Sequence, residues 1–159
     1  MTPFRLHATR LFTGQKFLNN QVLTITDGLV SAIDQNISDV DMKVEGLVVP
    51  GYIDLQVNGG GGALFNDSPS VEKLQAIMTA HARFGTTAMM PTLITDTIEV
   101  MAQAADAVSE AIANKISGII GIYFEGPHLS TAKKGTHCAK HIRPISDDEW
   151  NIFSHKDLG

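Results

Sequence analysis

From Pro50 onward the chain alternates short apolar runs with longer amphipathic ones, the signature of βα units feeding a parallel sheet. Three such units can be counted. The first strand, Tyr52 to Val57, leads into a glycine-rich loop and a helix that starts at Ser68-Pro69, a serine N-cap before an N1 proline, and stops at Gly85. Val71, Leu74, Ile77, Met78 and His81 recur at helical spacing and form its inner face. The second strand runs from Thr86 to about Leu93, and Thr95 or Asp96 opens a helix of roughly twenty residues ending near Lys115. The third strand is Ile119 to Phe124, and the pair Ser146 and Glu149 is a capping box that begins a last helix near Asp147.

Ahead of these units, Phe4 to Phe12, Gln21 to Thr26 and Leu29 to Ile33 alternate with period two, as half-buried strands do. Asp27-Gly28 between the last two predicts a type I′ hairpin, so this region is expected to be a small antiparallel β unit. The boundaries expected are 1–48 for that β unit and 49–159 for the α/β part. A closed (β/α)₈ barrel needs roughly 250 residues, and the roughly 110 after Pro50 supply about three of its eight units. An open three-stranded sheet is the alternative, although parallel strands ordinarily have both faces and both edges covered.

Composition removes several classes of function. With 43% hydrophobic and 18% charged residues the chain has material for a core, and a net charge of −5 with pI near 5.6 argues against nucleic acid. Cys138 is the single cysteine and forms no internal disulfide. The first dozen residues lack the apolar run of a signal peptide, and the longest apolar stretch, Ile119 to Phe124, is far short of the ~20 residues of a membrane span, so a cytoplasmic protein is expected.

Functional groups of α/β folds lie at the C-terminal ends of parallel strands. After the first strand come Gln56, Asn58 and Gly59-Gly60-Gly61-Gly62, a run that reads either as an anion nest or as a flexible linker, with neither nucleotide-binding glycine motif present. After the third comes Glu125-Gly126-Pro127-His128, where a carboxylate at a buried strand end calls for a partner or a metal. His137 and His141, four residues apart with Cys138 as an optional soft ligand, form a second and weaker metal candidate. His7, His81 and His155 read as structural or solvated.

Pro50-Gly51-Tyr52-Ile53-Asp54-Leu55-Gln56-Val57-Asn58 resembles the strand that opens the amidohydrolase superfamily, with amides in place of both histidines. Together with Phe65-Asn66-Asp67, Gly85-Thr86-Thr87, Pro91-Thr92-Leu93-Ile94-Thr95, Glu125-Gly126-Pro127 and Lys133-Lys134-Gly135-Thr136-His137, it is similar to the N-acetylglucosamine-6-phosphate deacetylase family over residues 5 to 150.

The resemblance implies the first three βα units of a TIM-type (β/α)₈ barrel, preceded by part of a small β-sandwich domain. It implies that Glu125 is a ligand of one divalent metal, zinc by family, and that Thr136, through its backbone, and His137 contact substrate. Gln56 and Asn58 sit where binuclear relatives have histidine ligands, which implies a single-metal site, since an amide is a poor zinc ligand. His128 departs from an aromatic position and is a candidate neighbour of Glu125. The substrate implied is N-acetylglucosamine 6-phosphate, hydrolysed to acetate and glucosamine 6-phosphate in amino-sugar catabolism, and the full-length enzyme is expected to be a homodimer. The family's remaining metal histidines, its catalytic aspartate and its phosphate-binding arginine lie on later strands, so this chain alone is expected to be inactive. Two other readings stand beside this one. One is a non-catalytic barrel fragment acting as a binding or interaction module. The other is an amidohydrolase for a different N-acyl substrate, against which the Gln56/Asn58 pair and the Lys134–His137 loop argue.

Overall fold

The computed structural model describes residues 2–35, 37–155 and 157–159. It divides between Pro50 and Gly51 into two compact units. In the first, strands β1 (Phe4–Phe12), β2 (Phe17–Thr26), β3 (Leu29–Asp34) and β4 (Met42–Val48) form one sheet in the order β3-β2-β1-β4. Thr26 pairs with Leu29 across a two-residue loop in which Asp27 and Gly28 have φ of 52° and 79°, the backbone of the expected I′ turn. The sheet is not wholly antiparallel, because β4 runs parallel to β1 at its other edge. The polar composition of Met42-Lys43-Val44-Glu45 conceals this strand, which is held at its start by the Asp41 carboxylate accepting from the Arg5 amide at 2.7 Å. Ala8, Leu11 and Leu23 form the buried centre of this unit.

The second unit contains β5 (Tyr52–Val57), the two-residue strands β6 (Gly59–Gly60) and β7 (Ala63–Leu64), α1 (Val71–Ala82), β8 (Thr86–Ile94), α2 (Ile98–Ala113), β9 (Tyr123–Glu125) and α3 (Asp147–Phe153). Strands β5, β8 and β9 are parallel and adjacent in that order. Leu74, Ile77 and Met78 of α1 and Met101, Ala104 and Val108 of α2 pack with Met89 and Leu93 of β8 in one apolar core. The small alanines let α2 lie close to α1, and the branched residues fill the space between.

Element starts differ from expectation in an instructive way. The N-cap of α1 is Ser70, not Ser68, whose φ of 60° takes it out of the approach to the helix; the Ser70 hydroxyl accepts from the Lys73 amide. Thr97 caps α2 rather than Thr95 or Asp96, and the helix has 16 residues, ending where Lys115 turns to φ 54°. Ser146 and Glu149 do form the capping box of α3. The third strand is shorter than Ile119 to Phe124: Ile119 makes one isolated bridge to Met89, the Ile122 amide is diverted to the Leu158 carbonyl at 3.2 Å, and pairing with β8 resumes only at Tyr123.

The four glycines are neither a linker nor a nest. They fold as a tight hairpin, with Gly61 and Gly62 at φ 62° and 82° and Gly60 paired to Ala63. A Cβ on Gly61 would lie 3.1 Å from the Ala76 carbonyl and the Ala80 methyl of α1, so the hairpin rests directly on that helix. His81 completes the attachment through a 3.0 Å hydrogen bond between Nε2 and the Gly59 carbonyl, a structural role as expected.

Candidate active site

The C-terminal ends of β5, β8 and β9 bring four side chains into one hydrogen-bonded cluster. Gln56, next to last in β5, donates from Nε2 to Glu125 Oε2 at 3.2 Å across 69 residues of sequence. Glu125 closes β9, and its other oxygen, Oε1, lies 3.5 Å from Nε2 of His137. The opposite edge of that imidazole, Nδ1, is 2.8 Å from the Thr95 hydroxyl just past β8. Thr95 Oγ1 in turn donates to the Glu125 carbonyl at 3.3 Å. The Glu125 side chain is 31% exposed and that of His137 only 11%, so the carboxylate is open to solvent while the ring is wedged behind it.

The segment carrying His137 is folded on itself. The His137 amide donates to the Lys134 carbonyl at 3.1 Å, and the Lys134 ammonium donates back to the His137 carbonyl at 3.3 Å. Thr136 stands exposed at the turn this creates. The distal part of the loop is anchored by Arg143, whose guanidinium donates to the Asp96 and His141 carbonyls at 2.9 and 2.8 Å and pairs with buried Glu149 at 2.7 Å. From the other side Asn66 clamps β8. Its carboxamide accepts from the Ile94 amide and donates to the Ile94 carbonyl, both at 3.1 Å, as a neighbouring strand would, and also donates to Asp96 at 2.9 Å.

Not every candidate joins the cluster. His128 turns from Glu125 and bonds through Nδ1 to the Arg143 carbonyl at 3.0 Å, its ring edge-on to Phe153 with centroids 5.8 Å apart. Half-buried Asn58 offers its backbone carbonyl to the Phe65 amide at 2.8 Å, at the neck of the glycine hairpin. His137 and His141 do not share a helix, since a turn at 134–137 and a 3₁₀ segment at Ala139–His141 separate them. Among the described residues no group of three His, Cys, Asp or Glu side chains could hold a metal. The carboxylate and imidazole suit a divalent metal by donor type, but they make one corner of a site and not the three-ligand set that hydrolytic zinc requires. Thr95 and Asn66 had no place among the expected site residues, although both fall inside the motifs that carry the resemblance.

No protein-family model matches the chain. A curated relative, the N-acetylgalactosamine-6-phosphate deacetylase of Shewanella sp., is 46% identical over 99% of this chain and 42% of its own length. The N-acetylglucosamine-6-phosphate deacetylase of Haemophilus influenzae is 31% identical over 87% of this chain and 38% of its own. The chain belongs to the N-acetylglucosamine/N-acetylgalactosamine-6-phosphate deacetylase family. The crystal structure of N-acetylglucosamine-6-phosphate deacetylase from Pasteurella multocida superposes on 96% of the chain with a TM-score of 0.83 at 30% identity, covering 41% of that protein. The α/β fold is therefore that of the deacetylase family, and the chain spans about two fifths of the length of the relatives it matches.

Proposed function

We propose that this chain is the front part of a hydrolase that removes the acetyl group from an N-acetylated hexosamine 6-phosphate, and that β5, β8 and β9 are the opening strands of its barrel. The observation that carries the reading is the Gln56–Glu125 hydrogen bond, in which an amide on the first strand steadies a lone carboxylate on the third. Two histidines at Gln56 and Asn58 would bring a second metal, whereas a neutral amide that donates to the carboxylate leaves Glu125 one cation to hold. Glu125 is assigned as one ligand of that divalent ion, zinc by the family resemblance, with the remaining ligands outside this chain. When bound, such an ion supplies Lewis-acid polarisation of the amide carbonyl and an activated water.

The chain's own residues then have distinct tasks. Glu125 contributes negative charge to the metal side of the site, and Gln56 keeps the carboxylate in one rotamer. His137, with the Thr136 backbone beside it, borders the position of the substrate and is assigned to contact it. The Lys134 ammonium holds that turn closed.

Two epimeric substrates compete. N-acetylglucosamine 6-phosphate follows from the motif set, and N-acetylgalactosamine 6-phosphate is favoured by the activity named for the Shewanella relative, 46% identical over nearly the whole chain. The deciding experiment is acetate release from both sugars by the protein at its relatives' full length, with and without added zinc. Glu125→Gln is expected to lose bound metal and to lower turnover by more than the roughly 10- to 100-fold that changes to groups supporting a metal ligand cost. Unchanged metal content and turnover in that variant would overturn the assignment.

A further inference from the structure

The Thr95 hydroxyl stands where β8, β9 and the His137 loop converge. It is almost wholly buried, at 5% exposure, and makes two of the contacts that define the cluster, to His137 Nδ1 at 2.8 Å and to the Glu125 carbonyl at 3.3 Å. Its neighbourhood is shaped for this approach. A Cβ on Gly126 would lie 2.1 Å from Thr95 Oγ1, and Gly126 has φ 95°, so a side chain there would evict the hydroxyl and strain the backbone. Asn66, by bonding both backbone groups of Ile94, fixes the chain one residue before Thr95. The adjacent Asp96 carboxylate is occupied by the Thr97 amide and by Asn66, which leaves Thr95 as the group facing the ring.

A ring held at Nδ1 has one orientation for Nε2, and here that nitrogen faces the Glu125 carboxylate at 3.5 Å. We propose that Thr95 is a positioning residue that aims His137 into the substrate site and couples the ring to the strand carrying Glu125. It touches neither substrate nor metal; it acts by removing the alternative orientations of the imidazole. The proposal deepens the deacetylase reading and rests on it for its kinetic consequence, while the orientation of the ring can be tested by itself.

The test compares Thr95→Val, which keeps the branched shape and deletes the hydroxyl, with Thr95→Ser, which keeps the hydroxyl. In long-range proton–nitrogen spectra of the metal-free protein at its relatives' full length, the Nδ1 resonance of His137 is expected to shift in Thr95→Val and to return near its original position in Thr95→Ser. In the full-length enzyme Thr95→Val is expected to lower kcat/KM by about tenfold or more, with Thr95→Ser within about threefold of the parent, as misplacement of a substrate contact does. An unmoved Nδ1 resonance in a folded Thr95→Val protein overturns the proposal, and so does failure of Thr95→Ser to restore it. Should Thr95→Val fail to fold, Thr95→Ser with the parent spectrum decides: a hydrogen-bonded Nδ1 in both upholds the link, and a solvent-exposed Nδ1 in the parent sinks it. If no hexosamine phosphate is hydrolysed, the deacetylase reading fails while the nitrogen spectra still judge the Thr95–His137 contact.

Discussion

The Glu149 carboxylate accepts from the Ser146 amide and hydroxyl at 2.8 and 3.0 Å and from Arg143 at 2.7 Å, with its side chain fully buried. Burial opposes its ionisation most strongly, but the Ser146 amide and hydroxyl, then the charges of Arg143 and His128, together outweigh it and hold the carboxyl below its usual value of 4.5. A carboxyl whose pKa is depressed in the fold stabilises the fold above its unfolded value, and that contribution disappears as pH falls through the folded value. Acidification below about pH 4.5 is therefore expected to loosen α3 and the Arg143 anchor of the His137 loop. Trp150, the single tryptophan, lies on α3 and reports the change by fluorescence. In Glu149→Gln the acid transition should flatten, at a cost of about 3 kcal/mol for leaving the Arg143 guanidinium without its counter-charge. An acid profile identical in both proteins would show that another group governs it. Sequence reasoning recovers half of this residue: spacing from Ser146 identifies the cap, while the pairing with Arg143 depends on how the intervening segment folds back.

At the scale of elements, local chemistry was legible wherever one residue had one partner. Asp27-Gly28 and Ser146/Glu149 behave as their types predict, and the βα alternation finds the three parallel strands of the second unit but not the β6–β7 hairpin. The misplaced start of α1 follows from the positive φ of Ser68, whereas that of α2 comes from competition for one side chain. Thr95 is a sound N-cap by type, but its hydroxyl is engaged by His137 and Glu125, so the helix begins after Thr97 instead. Strand β4 escaped notice because it lies at a sheet edge with most of its residues exposed, where burial imposes no apolar period. The same logic sets the expected response of α3, a seven-residue helix too short to persist alone. Ser146→Ala deletes the hydroxyl that caps Glu149 and is expected to cost about 1 kcal/mol. That loss should appear as a lower midpoint in denaturant with an unchanged slope, and a midpoint equal to that of the parent would mean that Arg143 alone secures the helix.

Over the whole molecule the chain presents apolar surface that a finished fold of this class would cover. Tyr52, Ile53 and Leu55 of β5 are 67%, 63% and 60% exposed, and β5 is an edge strand of the parallel sheet. The first unit carries an apolar groove of about 320 Å³ lined by Leu11, Leu23, Val30, Ile33 and Val48 among others. Parallel strands with an open apolar edge pair readily with further strands, whether of their own chain or of another. The proposed site shows the same incompleteness in chemical terms, since Glu125 offers one ligand where hydrolytic zinc needs three. Both features are ones that the barrel proposed above would complete, with further strands covering β5 and supplying the remaining ligands. The 159-residue chain by itself is therefore expected to self-associate at micromolar concentration and to bind a hydrophobic dye, and Ile53→Lys with Leu55→Glu should suppress both. Extending the chain to the length of its relatives should suppress them equally without any surface change, because further strands of the proposed barrel would cover the same residues. Sedimentation of the unaltered chain as a monomer with no dye binding would contradict the barrel reading and favour a self-sufficient open sheet.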